Sequence, residues 1–269
     1  VDCSPKKSGK DNQELYNQFP HLKVIYQGGE NENIADISFN AQCNFDAAKG
    51  KKSVRTVSCN TTALCRVLNQ LRLLSPLKKA RIAIARRTAD PHNVKKGPVD
   101  AWLPVQEFPS HQATDVQTVL PEINVTTLAG IAPMTQMHGH MLFVEWAEKT
   151  SLEAVKDALQ ENPRIRLLSK VEDITSTSQI KDYLQATRKM GDVYEACIWT
   201  ESIGQDEDGE IGLHMAVDQQ AIVVPETIDA IRALCDMASA EESMQMTNES
   251  LGMAAVSKHA NNKIEVDAV

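Results

Sequence analysis

At residues 57–66 the chain reads Val57-Ser58-Cys59-Asn60-Thr61-Thr62-Ala63-Leu64-Cys65-Arg66, and this segment predicts a corner between a strand and a helix. The residues just before it, 53–57, alternate polar and β-branched side chains, as in a short strand. Apolar side chains then recur at the spacing of a buried helical stripe, at Leu64, Val67, Leu68 and Leu71. Asn60, Thr61 and Thr62 lie where capping side chains belong. Cys59 is therefore expected at the corner itself.

This position has chemical consequences for Cys59. Free backbone N–H groups and the positive end of a helix dipole stabilise an anion, so we expect the pKa of the thiol to be lowered. The same donors can stabilise the oxyanion that forms when a thiolate attacks a carbonyl carbon. An arbitrary cysteine is more often a small core residue, but the context favours a nucleophile here.

Composition and charge argue against several classes of protein. The chain has 269 residues, 42% hydrophobic and 24% charged, which is typical of one large or two globular domains. A net charge of −8 disfavours a general nucleic-acid binder. No apolar run is long enough to cross a bilayer and no signal segment opens the chain, so a cytoplasmic protein without membrane partners is expected. Six cysteines occur without a C-x-x-C pair, which predicts free thiols.

Several short motifs follow one another in the order found in one enzyme family. Ser58-Cys59-Asn60-Thr61-Thr62, followed by Leu64 and Arg66, resembles the active-site segment of glyceraldehyde-3-phosphate dehydrogenases, and Leu64-Cys65-Arg66 resembles their archaeal-type (type II) branch. The other matching motifs are Gln27-Gly28-Gly29-Glu30, Arg86-Arg87-Thr88-Ala89-Asp90-Pro91, Pro109-Ser110-His111, Met137-His138-Gly139-His140, Asn162-Pro163-Arg164-Ile165 and Ile222-Val223-Val224-Pro225-Glu226. The resemblance extends from residue 1 to about residue 253.

The resemblance implies two domains: an α/β Rossmann-like nucleotide-binding domain, incomplete here, and an α+β catalytic domain with a mainly antiparallel sheet. Residues 1–58 would be the C-terminal portion of the NAD(P)-binding domain and 59–239 the catalytic domain. Residues 240–256 would form a C-terminal helix that returns to the nucleotide domain, and 257–269 a flexible tail. The chain contains no G-x-G-x-x-G turn, so we expect that its natural amino end, with the opening βαβ units, is missing.

Between the motifs, residue patterns predict local structure. Residues 31–52 are polar and predict a connecting helix or loop. Residues 88–121 contain five prolines and predict an irregular segment of the kind that often carries functional residues. Residues 220–224 predict a strand, and Pro225 is expected as the first residue of the next helix.

The resemblance assigns the catalytic roles to Cys59 and His138. Cys59 would attack the aldehyde to give a hemithioacetal, and His138 would take the hydroxyl proton as hydride leaves to the nicotinamide; inorganic phosphate would then cleave the thioester. His138 and His140 are two residues apart on a predicted strand and would face the same side, as a pair of metal ligands also does. No third ligand of suitable spacing occurs, so no metal is predicted.

The resemblance also implies residues that bind the substrates and the cofactor. Gln112 stands where the family usually has a second histidine, although an amide can still donate a hydrogen bond to phosphate. Asp218 likewise stands where a histidine is usual in the family. Arg86 and Arg87 end a strand near this site, and a pair of arginines at such a position is as often a solvated strand end as a binding site. The implied substrate-binding residues are Ser58, Asn60, Thr61, His111, Gln112, Ala113 and His140, and the implied residues for NAD or NADP are Gly29, Arg87 and Gln219.

The first functional hypothesis is a phosphorylating glyceraldehyde-3-phosphate dehydrogenase of glycolysis or gluconeogenesis. It would oxidise glyceraldehyde 3-phosphate with inorganic phosphate and NAD or NADP to 1,3-bisphosphoglycerate, as a homotetramer that packs through its catalytic sheets. A related semialdehyde dehydrogenase or acyl-phosphate reductase is a second enzyme hypothesis, which the Thr61-Thr62 pair and the distant motifs disfavour. A truncated, noncatalytic assembly module is the third.

Overall fold

The computed structural model contains both helices and strands and describes residues 1–5, 8–27, 29–88, 101–188 and 191–253. The tail predicted at 257–269 lies outside the described residues, as do 254–256, Gly28 and 89–100. The helices are α1 (Ser8–Tyr16), α2 (Ala41–Asn44), α3 (Cys59–Arg72), α4 (His111–Gln117), α5 (Leu152–Glu161), α6 (Thr177–Thr187), α7 (Val224–Leu234) and α8 (Ala240–Leu251). The strands are β1 (Val24–Tyr26), β2 (Ile37–Phe39), β3 (Ser53–Thr56), β4 (Leu77–Arg87), β5 (Leu103–Pro104), β6 (Val125–Ala132), β7 (His138–Trp146), β8 (Ile165–Leu168), β9 (Ala196–Trp199), β10 (Gly204–Gln205) and β11 (Ile211–Val217).

The small sheet contains three short strands, all parallel, in the order β1-β3-β2. Ile25, Phe39 and Val54 from these strands are buried against Ala230 and Leu234 of α7. Because the strands are parallel, their carboxyl ends lie along one edge, and the chain enters the Cys59 corner from that edge. The expectation of a helix or loop over residues 31–52 misses β2, because three residues are too few to show an alternating pattern.

The large sheet has the strand order β5-β6-β4-β7-β11-β9-β8, and β10 pairs with β11 at the side. Among the described strand pairs of this sheet, β4–β6 and β8–β9 are parallel and the others are antiparallel, so the predicted mainly antiparallel sheet is present. Strand β6 was not predicted, because Ala129 and Gly130 at its centre have low strand propensity. Its position is fixed by a regular parallel ladder with β4 from Ala80 to Arg87.

Helix α3 packs on the inner face of the large sheet together with α4 and α5. The predicted stripe Leu64, Val67, Leu68 and Leu71 is fully buried in this core. On the outer face, α6 covers only the end near β9, where Ile180 and Leu184 pack with Cys197 and Ala216. Over β6 and β7 the outer face exposes apolar side chains, including Leu128 (56% exposed) and Phe143 (47%).

Four fully buried charged side chains connect the helices to one another. The Glu226 carboxylate accepts hydrogen bonds from Arg66 of α3 at 2.7 Å, from Arg164 at 3.2 Å and from the backbone N–H of Ala41 at 2.6 Å. Arg164 also pairs with Asp229 of α7. Burial opposes the charge on Glu226, but Arg66, Arg164 and the Ala41 N–H outweigh it and lower the pKa of the carboxyl group.

The carboxylate of Asp229 also accepts hydrogen bonds from the hydroxyls of Ser243 and Thr247 of α8, each at 2.7 Å. Helix α7 therefore packs both on the small sheet and on α8. It precedes residue 239, the predicted end of the catalytic domain. The strand predicted at 220–224 is wrong: the chain turns there and α7 begins at Val224, with Pro225 in its first turn. A short apolar run fits a strand or a buried turn equally well by periodicity alone.

No helix in the described part of the chain is both long enough and apolar enough to cross a membrane.

Replacing Glu226 by glutamine is expected to destabilise the fold by about 3–5 kcal/mol, because it leaves two buried arginines without their shared counter-charge. Urea unfolding followed by circular dichroism measures this loss. The matched control is Glu145→Gln, which breaks the exposed Lys78–Glu145 pair and should leave the urea midpoint almost unchanged. Equal effects of the two substitutions would contradict a structural role for the buried cluster.

Candidate active site

A cleft of about 820 Å³ lies between the carboxyl edge of the small sheet, the end of β4 and the beginning of β7. Its wall combines residues that are far apart in the sequence. Eight of the residues singled out from the sequence line it: Gly29, Ser58, Cys59, Asn60, Arg87, His111, His138 and Gln219. Thr61, Gln112, Ala113 and His140 do not.

Cys59 is the first residue of α3, and Ser58 occupies the N-cap position without a capping hydrogen bond from its side chain. The helix therefore begins slightly earlier than the predicted capping residues Asn60, Thr61 and Thr62, which form its first turn. The prediction of a nucleophile at the strand-to-helix corner is unaffected. The side chain of Cys59 is half-buried and carries a free thiol.

The expectation of a lowered thiol pKa is wrong for this arrangement. Burial raises the pKa of Cys59 to about 11, because a thiolate is poorly solvated there. The backbone N–H groups of Asn60 and Cys59 and the positive charges of Arg86 and Arg87 all act in the opposite direction, but they offset only part of the burial. The helix terminus thus favours the thiolate, as predicted, but burial has the larger effect on the pKa of Cys59.

His138 begins β7 and faces the cleft with most of its surface buried. Its Nδ1 accepts a hydrogen bond of 3.0 Å from the backbone N–H of Arg87. Since a backbone N–H can only donate, the neutral ring carries its proton on Nε2. Burial, followed by the nearby His140, Arg86 and Arg87, lowers the pKa of His138 to about 3, so the ring is neutral at pH 7.

His140 lies behind the cleft wall and does not line the cleft, so its expected contact with substrate stays a prediction. The side chain is 1% exposed, and burial lowers its pKa to about 3. Its Nε2 is 2.8 Å from Oδ1 of Asn60, the neighbour of Cys59. The two histidines do share one side of β7 as predicted, but no group of three metal-ligating side chains occurs within the described ranges.

Residues 111–113 form the first turn of α4, inside the segment expected to be irregular. Successive residues of an α-helix point about 100° apart, so His111 faces the cleft while Gln112 and Ala113 point into the core. Both polar atoms of the Gln112 amide are buried without a hydrogen-bond partner among the described residues. Neither Gln112 nor Ala113 lines the cleft in this structure, and their contact with substrate stays a prediction.

A hydrogen-bonded chain that the sequence did not reveal runs beside the nucleophile. Arg55 of β3 pairs with Asp115 of α4 at 2.7 Å, and Asp115 accepts a hydrogen bond of 2.6 Å from the hydroxyl of Thr61. The hydroxyls of Ser58 and Thr61 are 3.0 Å apart. Because Thr61 donates to the carboxylate, Ser58 must donate to Thr61, and both hydroxyl protons are used within the chain.

Two sequence signals could have revealed this group. Asp115 follows His111 by four residues, so both belong on one face of a helix, and Arg55 is a charge within a short buried strand.

Positive charge reaches the cleft from the end of β4. Arg86 and Arg87 both line it, and Nε of Arg86 is buried with no hydrogen-bond partner in the described part of the chain. A buried guanidinium N–H without an acceptor is costly, and phosphate oxygens are the acceptors that guanidinium groups bind most readily. This end of the cleft therefore fits a phosphate group.

Two further lining residues, Gly29 and Gln219, fit a nicotinamide cofactor. Gly29 has a left-handed backbone conformation (φ +74°) at the carboxyl edge of the parallel sheet, with open space where a Cβ would point. Oε1 of Gln219 is buried without a partner among the described residues, so it can accept a hydrogen bond from a ligand amide. Asp218 holds this turn, since its Oδ1 accepts the N–H groups of Gln220 and Ala221 and its Oδ2 pairs with Lys181.

Comparison with known proteins identifies a family of dehydrogenases, in agreement with a cleft that fits both phosphate and a nicotinamide cofactor. A family model described as glyceraldehyde 3-phosphate dehydrogenase, C-terminal domain, matches residues 58–202. The chain is 45% identical over 257 residues to the glyceraldehyde-3-phosphate dehydrogenase of Archaeoglobus fulgidus, covering 95% of this chain and 75% of the relative. The enzymes of Methanococcoides burtonii and Methanopyrus kandleri are each 43% identical, covering 94% of this chain and 75% and 73% of those relatives. The chain therefore belongs to the archaeal-type glyceraldehyde-3-phosphate dehydrogenase family, whose members are oxidoreductases.

Proposed function

We propose that the chain performs the phosphorylating reaction through a thioester on Cys59: glyceraldehyde 3-phosphate, inorganic phosphate and NAD or NADP give 1,3-bisphosphoglycerate. The observation that carries this proposal is the shared cleft, in which the Cys59 thiol, the His138 ring and two arginines line one cavity. A nucleophile, a polar group for the carbonyl oxygen and cations for phosphate are the parts that acyl-phosphate formation needs.

Cys59 forms the covalent bond. Its thiolate adds to the aldehyde carbon, the S–C bond forms, and the π electron pair of the carbonyl moves to oxygen. As the oxygen lone pair re-forms the carbonyl to give the thioester, the C–H pair of this carbon leaves as hydride. A bound NAD or NADP, held by Gly29, Arg87 and Gln219, would supply the hydride acceptor, and its positive charge would favour the Cys59 thiolate. A phosphate oxygen then attacks the thioester carbon, and the S–C bond breaks to release the Cys59 thiolate.

The contact between His138 and Arg87 changes the role that we expect for His138. The neutral ring carries its proton on Nε2, so it can donate a hydrogen bond to the oxygen of the hemithioacetal but cannot accept a proton at that atom. Accepting the hydroxyl proton, as the sequence suggested, would require protonation of Nδ1 and loss of the Arg87 contact. We therefore assign His138 to stabilising the oxyanion, with the thiol proton released to water before attack.

Arg86 is the candidate cation for phosphate, because its buried Nε has no acceptor among the described residues. Gly29, Arg87 and Gln219 are the candidate cofactor residues. Asn60, Ser58 and His111 remain candidates for substrate, whereas Thr61 acts from behind the wall through Ser58 and Asp115. NAD and NADP carry the same nicotinamide ring, so these candidate residues fit either cofactor.

The two sheets support the proposed domain organisation. We assign the small parallel sheet, within residues 1–58, to the cofactor-binding domain and 59–239 to the catalytic domain. Helix α8, in the predicted returning segment 240–256, adds to the layer that α7 forms on the small sheet.

A homotetramer is supported by the outer face of the large sheet. Leu128 on β6 and Phe143 on β7 are exposed there, beside Ala83 and Met141 on the same face. Exposed apolar patches of this kind mark association surfaces, and closed symmetric oligomers are the commonest way for a chain to cover them.

The proposed reaction predicts that Cys59→Ser abolishes product formation, lowering turnover by roughly a thousandfold or more. The assay follows NAD(P)H absorbance with glyceraldehyde 3-phosphate, with and without inorganic phosphate. His138→Phe should reduce kcat by about 100-fold, and His138→Gln should lose less, because its amide can still donate to the oxyanion.

Phosphate-independent activity, or equal activity of the His138→Phe and His138→Gln variants, would contradict the assigned roles. Turnover of a semialdehyde but not of glyceraldehyde 3-phosphate would favour the second enzyme hypothesis. A folded chain that turns over neither would favour the assembly module.

The electrostatics of the cleft predict how Cys59 reacts with iodoacetamide. Because burial raises the thiol pKa to about 11, the alkylation rate should increase about tenfold per pH unit between pH 7 and 9.5. Arg86→Ala removes a charge that lowers this pKa, so its rates should lie below those of the parent at every pH. Mass spectrometry of the Cys59 peptide gives the rates.

Arg81→Ala is the control for this measurement, because Arg81 lies on the same strand but pairs with Glu210 at the surface. It should leave the rates unchanged. Faster alkylation in Arg86→Ala than in the parent would show that the arginine does not favour the thiolate.

Phe143→Glu is expected to weaken association, because it places a charge in the apolar face of the sheet. Analytical ultracentrifugation should show a tetramer for the parent and smaller species for the variant. Val171→Glu is the control: Val171 is 93% exposed and lies away from this face, on a short helical turn after β8. Identical sedimentation of the two variants would remove the outer face from the interface.

A further inference from the structure

No step of the reaction described so far is assigned to the buried pair formed by His140 and Asn60, although Asn60 is a candidate substrate residue. His140 comes from β7 of the large sheet, and Asn60 follows the nucleophile in the first turn of α3. The side chains meet at 2.8 Å between Nε2 and Oδ1. Asn60 is only 4% exposed, yet it contributes to the wall of the cleft beside Cys59.

The surroundings decide which atom of the pair donates. Nδ1 of His140 is buried without a partner among the described residues. If that nitrogen carried the proton, the structure would contain a buried N–H without an acceptor, which is rarer and more costly than an unpaired acceptor atom. The proton therefore lies on Nε2, and His140 donates to the amide oxygen of Asn60.

This contact fixes the orientation of the Asn60 amide. With Oδ1 held by His140, the Nδ2 amino group is the part of the amide left for the cleft. No hydrogen bond from Nδ2 is found among the described residues, so its protons are available to a ligand in the cleft that Cys59 also lines. An amide donor next to a nucleophile is a typical means of stabilising an oxyanion.

We propose that Asn60 is a catalytic donor to the oxyanion that forms on the carbonyl oxygen of a substrate attacked by Cys59. His140 is then the positioning residue that keeps the amino group of Asn60 turned toward the cleft. This inference deepens the proposed function, since it rests on Cys59 as the nucleophile. It gives the reacting oxygen a second donor besides Nε2 of His138. It also gives the second histidine of the Met137-His138-Gly139-His140 motif a purpose other than contact with substrate.

The test uses two reactions of Cys59 that need neither cofactor nor inorganic phosphate. In acylation by p-nitrophenyl acetate, the S–C bond forms as the carbonyl π pair moves to oxygen; the pair then re-forms the carbonyl as p-nitrophenolate leaves. In alkylation by iodoacetamide, sulfur displaces iodide and no oxyanion forms. The ratio of the two rates therefore reports oxyanion stabilisation separately from the reactivity of the thiolate.

His140→Phe should lower the acylation-to-alkylation ratio by about 10-fold to 100-fold, since one oxyanion donor is worth roughly that much or more. His140→Gln should restore most of the ratio, because its amide can donate to Oδ1 of Asn60. Asn60→Ala should lose as much as His140→Phe, and the double variant should lose no more than either single one. Cys59→Ser supplies the blank for both reactions.

Asn60→Asp keeps the acceptor for His140 but has no amino group, so it tests the donor even where His140→Phe does not fold. Its ratio should fall as in Asn60→Ala. An unchanged ratio in Asn60→Asp, or additive losses in the double variant, would overturn the proposal. Because these reactions require no hydride acceptor, a chain that lacks dehydrogenase activity still gives an answer on Asn60 and His140.

Discussion

The rest of the structure depends on the ionic contacts of Glu226. One carboxylate accepts hydrogen bonds from the helix that carries the nucleophile, from Arg164 before β8 and from the backbone at the start of α2. Burying such charges costs several kcal/mol per ion unless each one is paired. The pairs therefore permit only one relative placement of α3, α7 and the segment before β8. The position of Cys59 at the amino terminus of α3 is a consequence of that placement.

The cleft shows two electrostatic influences acting against each other. Burial disfavours the thiolate of Cys59 and the imidazolium of His138, whereas helix N–H groups and arginines favour anions in the same place. The result is a site that holds neutral thiol and neutral imidazole by itself but offers several donors to an anion that enters. Such a site is organised for the charge that develops on the substrate during the reaction and less for the charge on its own residues.

Much of this arrangement follows from the sequence. The strand-to-helix corner, the buried stripe of α3 and the family resemblance are confirmed, the last by the family model and by relatives 43–45% identical. Side-chain direction was harder to predict. His111 and Gln112 are neighbours with similar chemistry, yet only a helix of known register tells which one faces the cleft. The tautomers of His138 and His140 depend on partners 51 and 80 residues away, which no local pattern contains.

The contact between Arg55 and Asp115 joins the two walls of the cleft. Arg55 belongs to the small sheet, and Asp115 lies on α4 against the large one. Because Asp115 also holds the Thr61 hydroxyl, and Thr61 holds Ser58, the distance between the walls is linked mechanically to the first turn of the nucleophile helix. If the walls separated, Arg55 would leave the carboxylate, and the residues around Cys59 would lose their fixed orientation at the same time.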